Sequence, residues 1–218
     1  RKRKRCLGEV RVLRREEYQG LELNAKVEIM RMGDSPMPVP PEHKDRVMHA
    51  TVKADGITIS VGGDKIRLAR KDGAFACLDF GRGVWKNRTA WNWGSASATL
   101  PDGRPLGLQL GAKWTDGTGM TENAIFLDGR ISKLSEDIPF VYDERDFMKP
   151  WRIRAKSKRV DLRFTPFHER VSAAKIGILS SEVHQMFGYY DGAVVPDNGE
   201  RIAVDHVFGW IEEHKARW

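Results

Sequence analysis

Seven Asp-Gly or Asn-Gly pairs punctuate this chain, beginning at Asp55, Asp72, Asp102, Asp116, Asp128, Asp191 and Asn198. These dipeptides tolerate the positive φ that two-residue hairpin turns demand. Between them, apolar residues recur with period two. Ile57, Ile59 and Val61 alternate with Thr58 and Ser60, Leu106, Leu108 and Leu110 with Gly107, Gln109 and Gly111, and Val160, Leu162 and Phe164 with Asp161, Arg163 and Thr165. Strict alternation buries one face of a strand and leaves the other differently lined. No window of helical length carries a sustained i, i+3, i+4, i+7 apolar stripe. The pattern predicts an all-β chain: an antiparallel meander with little helix. To hide its edges it must close into a barrel or curve strongly.

Residues 33–45 hold Pro36, Pro38, Pro40 and Pro41. Proline fixes φ and removes a donor, so this stretch reads as an extended linker. The expected organisation is N-terminal strand(s) and a linker over 1–45, then a main β-barrel over 46–218. Within it, residues 46–143 should give six to eight strands and residues 151–211 four to five. At 218 residues and 40% hydrophobic composition, the chain can bury a core without disulfides. Cys6 and Cys77 form no framework, and no apolar run is long enough for a membrane helix.

The net charge is +7, but five of those charges sit on Arg1, Lys2, Arg3, Lys4 and Arg5, so the remaining 213 residues carry +2. A body of that charge offers no large nucleic-acid footprint, and the basic arm alone is the least favoured route to a partner. The chain begins with Arg rather than Met and reads as lacking its native N-terminus. With no signal peptide in view, the default expectation is cytoplasmic.

Candidate chemistry falls in four places. All seven tryptophans lie at or after position 85, and Trp91 and Trp93 share one strand face. Inward-facing rings would wall a pocket for an apolar or ring-containing ligand, with Trp91, Trp93, Trp114, Trp151, Met186 and Trp210 as lining candidates. Plain core packing is the more ordinary reading of the same rings. Segment 111–123 is glycine-rich and polar. Asp116 and Glu122 there would act as a carboxylate pair or hold a hard cation, or Asp and Thr would cap a wide turn. Glu182, His184 and Met186 share a face if extended; a carboxylate beside His184 would poise it for proton transfer, or the imidazole would simply make a cross-strand hydrogen bond. Glu212 and His214 form a second such pair. No zinc or phosphate-loop spacing occurs, so no metal or cofactor is expected, and no nucleophile elbow is present.

Four segments carry a family resemblance: residues 91–97 (Trp-Asn-Trp-Gly-Ser-Ala-Ser), 111–123, 146–153, and the pair 182–188 and 212–218. Together they resemble the family called domain of unknown function 2804. The family is similar to lipocalin-like proteins of the carotenoid hydratase and tocopherol cyclase kind. That resemblance implies a β-barrel holding a hydrophobic small molecule such as a lipid or isoprenoid. Hydratase, cyclase or isomerase chemistry would run by acid–base catalysis on Asp116, Glu122, Glu182, His184, Glu212 or His214. The alternative is a non-enzymatic structural or interaction domain whose interior is filled.

Overall fold

The computed structural model describes residues 86–217 in full, Phe75, and the backbone of four earlier strands. The basic run at 1–5, the Pro-rich segment 33–45, Cys6, Cys77, Trp85 and Trp218 lie outside the described residues. The four earlier strands are β1 (Leu23–Val27), β2 (Met48–Lys53), β3 (Gly56–Val61) and β4 (Asp64–Ala69). They make an antiparallel sheet in sequence order, within a compact unit of residues 1–31 and 38–74.

Residues 32–37 and 75–218 form the second unit. Its strands are β5 (Arg88–Thr99), β6 (Pro105–Ala112), β7 (Ala124–Leu127), β8 (Arg130–Lys133), β9 (Phe140–Val141), β10 (Trp151–Arg154), β11 (Val160–Ile176), β12 (Leu179–Val194) and β13 (Ile202–Arg217). They pair in the order β8-β7-β6-β5-β13-β12-β11-β10-β9, all antiparallel, in a strongly curled half-barrel. The chain is all-β, and no helix occurs among the described residues. Every neighbour follows in sequence except one: the last strand, β13, pairs with β5. The meander thus closes on itself there and stays open between β8 and β9.

Turn chemistry sets these connections. Asp128 and Gly129 both take positive φ in the β7–β8 hairpin, and Gly103 and Gly199 do so in the β5–β6 and β12–β13 connections. Asp191-Gly192 is different: it sits inside β12, where the register against β13 slips between Tyr190 and Gly192. Opposite it, His206 has φ 50° and donates its backbone N–H to Asp191 at 2.8 Å. A second slip falls between Pro166 and His168 in β11. Bulges bend a strand, which lets strands of 16 and 17 residues curl.

The concave face carries the core. Leu106, Leu108, Leu110, Ile125, Trp151, Ile153, Leu162, Phe164, Tyr190 and Ile211 are buried together, joined by Leu134 and Ile138 from the segment between β8 and β9. Glycine on three adjacent strands makes room for the large rings. A Cβ on Gly94 would stand 2.6 Å from the Tyr190 hydroxyl, and one on Gly188 would meet the Thr165 carbonyl. Tyr190 fills that space and donates its hydroxyl to the Trp210 carbonyl at 2.8 Å.

Candidate functional site at the open end of the concave face

Register places side chains on the concave face in rows that cross β5, β13, β12 and β11. The innermost of these four rows is Gly94, Ile211, Met186 and Glu169. Above it stand Asn92, Glu213, His184 and Val171, then Ala90, Lys215, Glu182 and Ala173, and at the strand ends Arg88, Arg217, Ser180 and Lys175. Successive rows are two residues apart, about 6.7 Å. The face therefore grades from apolar floor through a titratable row to a cationic rim. An open cleft of about 710 Å³ occupies the rim end, lined by the residues of the two outer rows together with Thr89, Ala174, Ser181 and Ala216 from between them.

The titratable row has two centres. Glu213 is 2% exposed. Its Oε2 accepts from Lys113 Nζ at 2.7 Å, from Asn92 Nδ2 at 2.5 Å and from the Tyr142 hydroxyl. Burial pushes this carboxyl up, but the donors from Lys113 and Tyr142 outweigh it and hold it below its ordinary value. Tyr142, pushed up by burial and by Glu213, stays a protonated donor. Glu213 Oε1 is buried and takes no hydrogen bond of good geometry, although the Lys215 ammonium stands 3.2 Å away.

His184 is the second centre. Its Nδ1 lies 2.7 Å from Glu169 and its Nε2 2.9 Å from Glu182. Burial alone would depress the imidazole, but the two carboxylates overcome that and raise it above its ordinary 6.5. Phe147 links the centres: its ring is 4.7 Å from His184 and 5.8 Å from Tyr142, which itself stacks on Trp151 at 3.7 Å.

Other candidate residues are placed elsewhere. Trp151 and Met186 are fully buried on the concave side, where they floor this end. Trp91, Trp93 and Trp210 lie on the convex face. Trp93 packs edge-on to Trp210 at 5.4 Å and donates to Gln109 at 3.1 Å. Gln109 and Trp114 both donate to Glu122, at 2.9 and 2.8 Å. Asp116 sits in the exposed turn over 113–118, where its N–H donates to the Lys113 carbonyl at 3.3 Å, and no hydrogen bond joins it to Glu122. Among the described residues, no group of three or more His, Cys, Asp or Glu could hold a metal ion.

Glu212 and His214 do meet, on the convex face. Trp91 donates to Glu212 Oε1 at 3.1 Å, His214 Nδ1 is 3.7 Å from that oxygen, and His214 Nε2 is 2.9 Å from Ser181 Oγ. Sequence reasoning did not find Ser181, Glu213, Lys113, Tyr142, Asn92 or Glu169. Only Glu213 carried a signal, as the acid of opposite parity between two residues already singled out.

No curated protein and no solved structure matches this chain. The model of one family, Domain of unknown function (DUF2804), matches residues 8–218, and the chain belongs to that family.

Proposed function

We propose that the open end of the concave face binds a small, largely apolar molecule and moves a proton on it through His184. The observation that carries this reading is the row of Asn92, Glu213 and His184, set between a floor of Met186, Trp151 and Phe147 and an open cleft. Apolar walls with a few convergent polar groups and a perturbed titratable residue are the usual marks of a small-molecule site.

The raised imidazole argues for one version of the chemistry. An isolated alkene demands a strong acid, whereas an imidazole raised above its ordinary value by two carboxylates is a weaker acid still. Isomerisation through an enol therefore suits His184 better than hydration of an unactivated double bond. Lys113 spends two of its three N–H donors on Tyr142 and Glu213, leaving one for a ligand oxygen. A non-enzymatic domain is the second reading, favoured by the solid filling of the deeper half by Trp151, Phe164 and Tyr190.

The test uses β-ionone, an apolar ring carrying a conjugated ketone. Binding is read by protein fluorescence and proton transfer by deuterium uptake at its exchangeable carbons in D₂O. The wild-type chain is expected to bind and exchange. His184→Gln should bind comparably and lose exchange by about 100-fold or more. Full exchange in the variant would overturn the proton-transfer role, and binding without exchange in the wild type would leave the second reading.

A further inference from the structure

The outermost row of the concave face is cationic in a way that the fold does not require. Arg88 of β5 and Arg217 of β13 are directly opposite one another, and Arg217 is opposite Ser180 of β12, which is opposite Lys175 of β11. Like charges facing each other across a strand pair are destabilising. Among the described residues, no carboxylate pairs with Arg88, Arg217 or Lys175. Some other surface cations of this unit find acids, as Arg104 does in Asp102 and Glu200, Arg154 in Asp161 and Arg159 in Asp197, and others such as Arg130 and Arg163 do not among the described residues; the rim differs in placing its cations in one cross-strand row beside a cleft. Three cations without a carboxylate partner thus line the open cleft at this end.

From this row we propose that the cleft takes an amphiphile whose head is a carboxylate or phosphate. The head sits between Arg88, Arg217 and Lys175, and the apolar tail lies in the cleft against its alanines, Ala90 and Ala173 among them. The inference deepens the concave-face binding reading and rests on it. Guanidinium groups suit such heads because their donors form a planar fork that matches two oxygens. From the cationic row to the Met186 row is six residues of strand, about 20 Å, longer than an extended chain of about a dozen carbons, so the tail of such a chain ends within the cleft. The serine between the cations adds a neutral donor. Glu182, one row deeper, is occupied by His184, so it does not cancel the rim.

Binding of dodecanoate, dodecyl phosphate and the uncharged dodecanol to the full chain tests this, by calorimetry or by displacement of a fluorescent probe. Inorganic phosphate serves as the head alone. The wild-type protein is expected to prefer both anionic chains over dodecanol by about tenfold, and the preference should shrink in 1 M salt. Arg88→Gln/Arg217→Gln should erase it while leaving dodecanol binding unchanged. Arg163→Gln/Arg170→Gln, which removes the same charge from the convex side, should keep it, and Lys175→Gln should weaken it in part. Which of the two anionic chains binds more tightly, and whether inorganic phosphate competes, separates a carboxylate source from a phosphate one. Equal binding of anion and alcohol to the wild type, or a preference surviving in Arg88→Gln/Arg217→Gln, overturns the anionic head while sparing the concave-face reading. Binding of none of the chains removes both.

Discussion

Glu212 and Glu213 are neighbours in sequence, both buried, and they face opposite sides of the same strand. Their surroundings differ in kind. On the concave side, Glu213 has a cation, a phenol and an amide on one oxygen. On the convex side, Glu212 has neutral donors, Trp91 at 3.1 Å and Gln185 at 3.4 Å, with His214 too far for a hydrogen bond at 3.7 Å. A buried carboxylate held by neutral donors can be replaced by an amide of the same shape. One held by a cation cannot lose that cation without stranding a charge. The comparison teaches that burial alone does not mark the functional acid; the charge of its partners does.

The largest expected effect follows directly. Lys113→Met takes the nearer cation from buried Glu213, leaving Lys215 at 3.2 Å from its other oxygen, and should cost about 2 kcal/mol in urea unfolding. Glu212→Gln should cost less than about 1 kcal/mol, because the amide oxygen still accepts from Trp91 and the Gln185 amide can turn its own oxygen to the new NH2 group. Equal costs would break the distinction between the faces.

Acid titration sharpens it next. The folded-state pKa of Glu213 lies below its unfolded value near 4.5. Its contribution to stability is therefore complete above that value and lost as pH falls through the folded pKa. Glu213→Gln should flatten the acid limb of the stability profile relative to wild type. An unchanged limb would mean that Lys113 and Tyr142 do not hold the carboxylate as described.

His184 gives the opposite sign and a smaller amplitude, since Glu182 is largely exposed. Its folded-state pKa is raised above 6.5. The stability it contributes is fully present below 6.5 and lost as pH rises through the folded value. Stability of the wild type should decline across that window, and the decline should vanish in His184→Gln. A decline that persists would place the titration elsewhere.

Much of the fold was legible because its signals are local. Period-two apolar runs marked β6 and β11, and Asp128-Gly129 makes the turn it was read to make. Asp191-Gly192 carries the same residues inside a strand, because a bulge asks for the same positive φ as a turn. That Trp91 and Trp93 share a face was legible; which face was not. The core side of β5 is Asn92, Gly94 and Ala96, polar or small, and looks like the outside. It is inside because the Tyr190 ring, ninety-six residues from Gly94, fills the space above that glycine. The site was less legible still. Asn92 meets Glu213 across 121 residues, and only the closure of β13 on β5 brings them together. His184 and Glu182 were visible because their spacing of two is a strand's own period. Glu169, their third member, arrives through cross-strand register, which the bulge after Pro166 resets.

The smallest expected effect concerns Ser181, whose hydroxyl lies 2.9 Å from His214 Nε2 on the convex face. A serine, a histidine and a glutamate in line resemble a hydrolytic relay by residue type, but their spacing argues otherwise. The 3.7 Å gap between His214 Nδ1 and Glu212 is too long for the hydrogen bond that fixes the imidazole in such a relay, and the His214 ring is instead packed on Trp91 at 3.8 Å. Ser181 is half-buried, so water can replace its hydroxyl at His214. Ser181→Ala should then cost less than about 1 kcal/mol in urea unfolding. A loss above about 2 kcal/mol would show that the convex cluster is as tightly organised as the Glu213 centre, and the contrast between the two faces of β13 would fall with it.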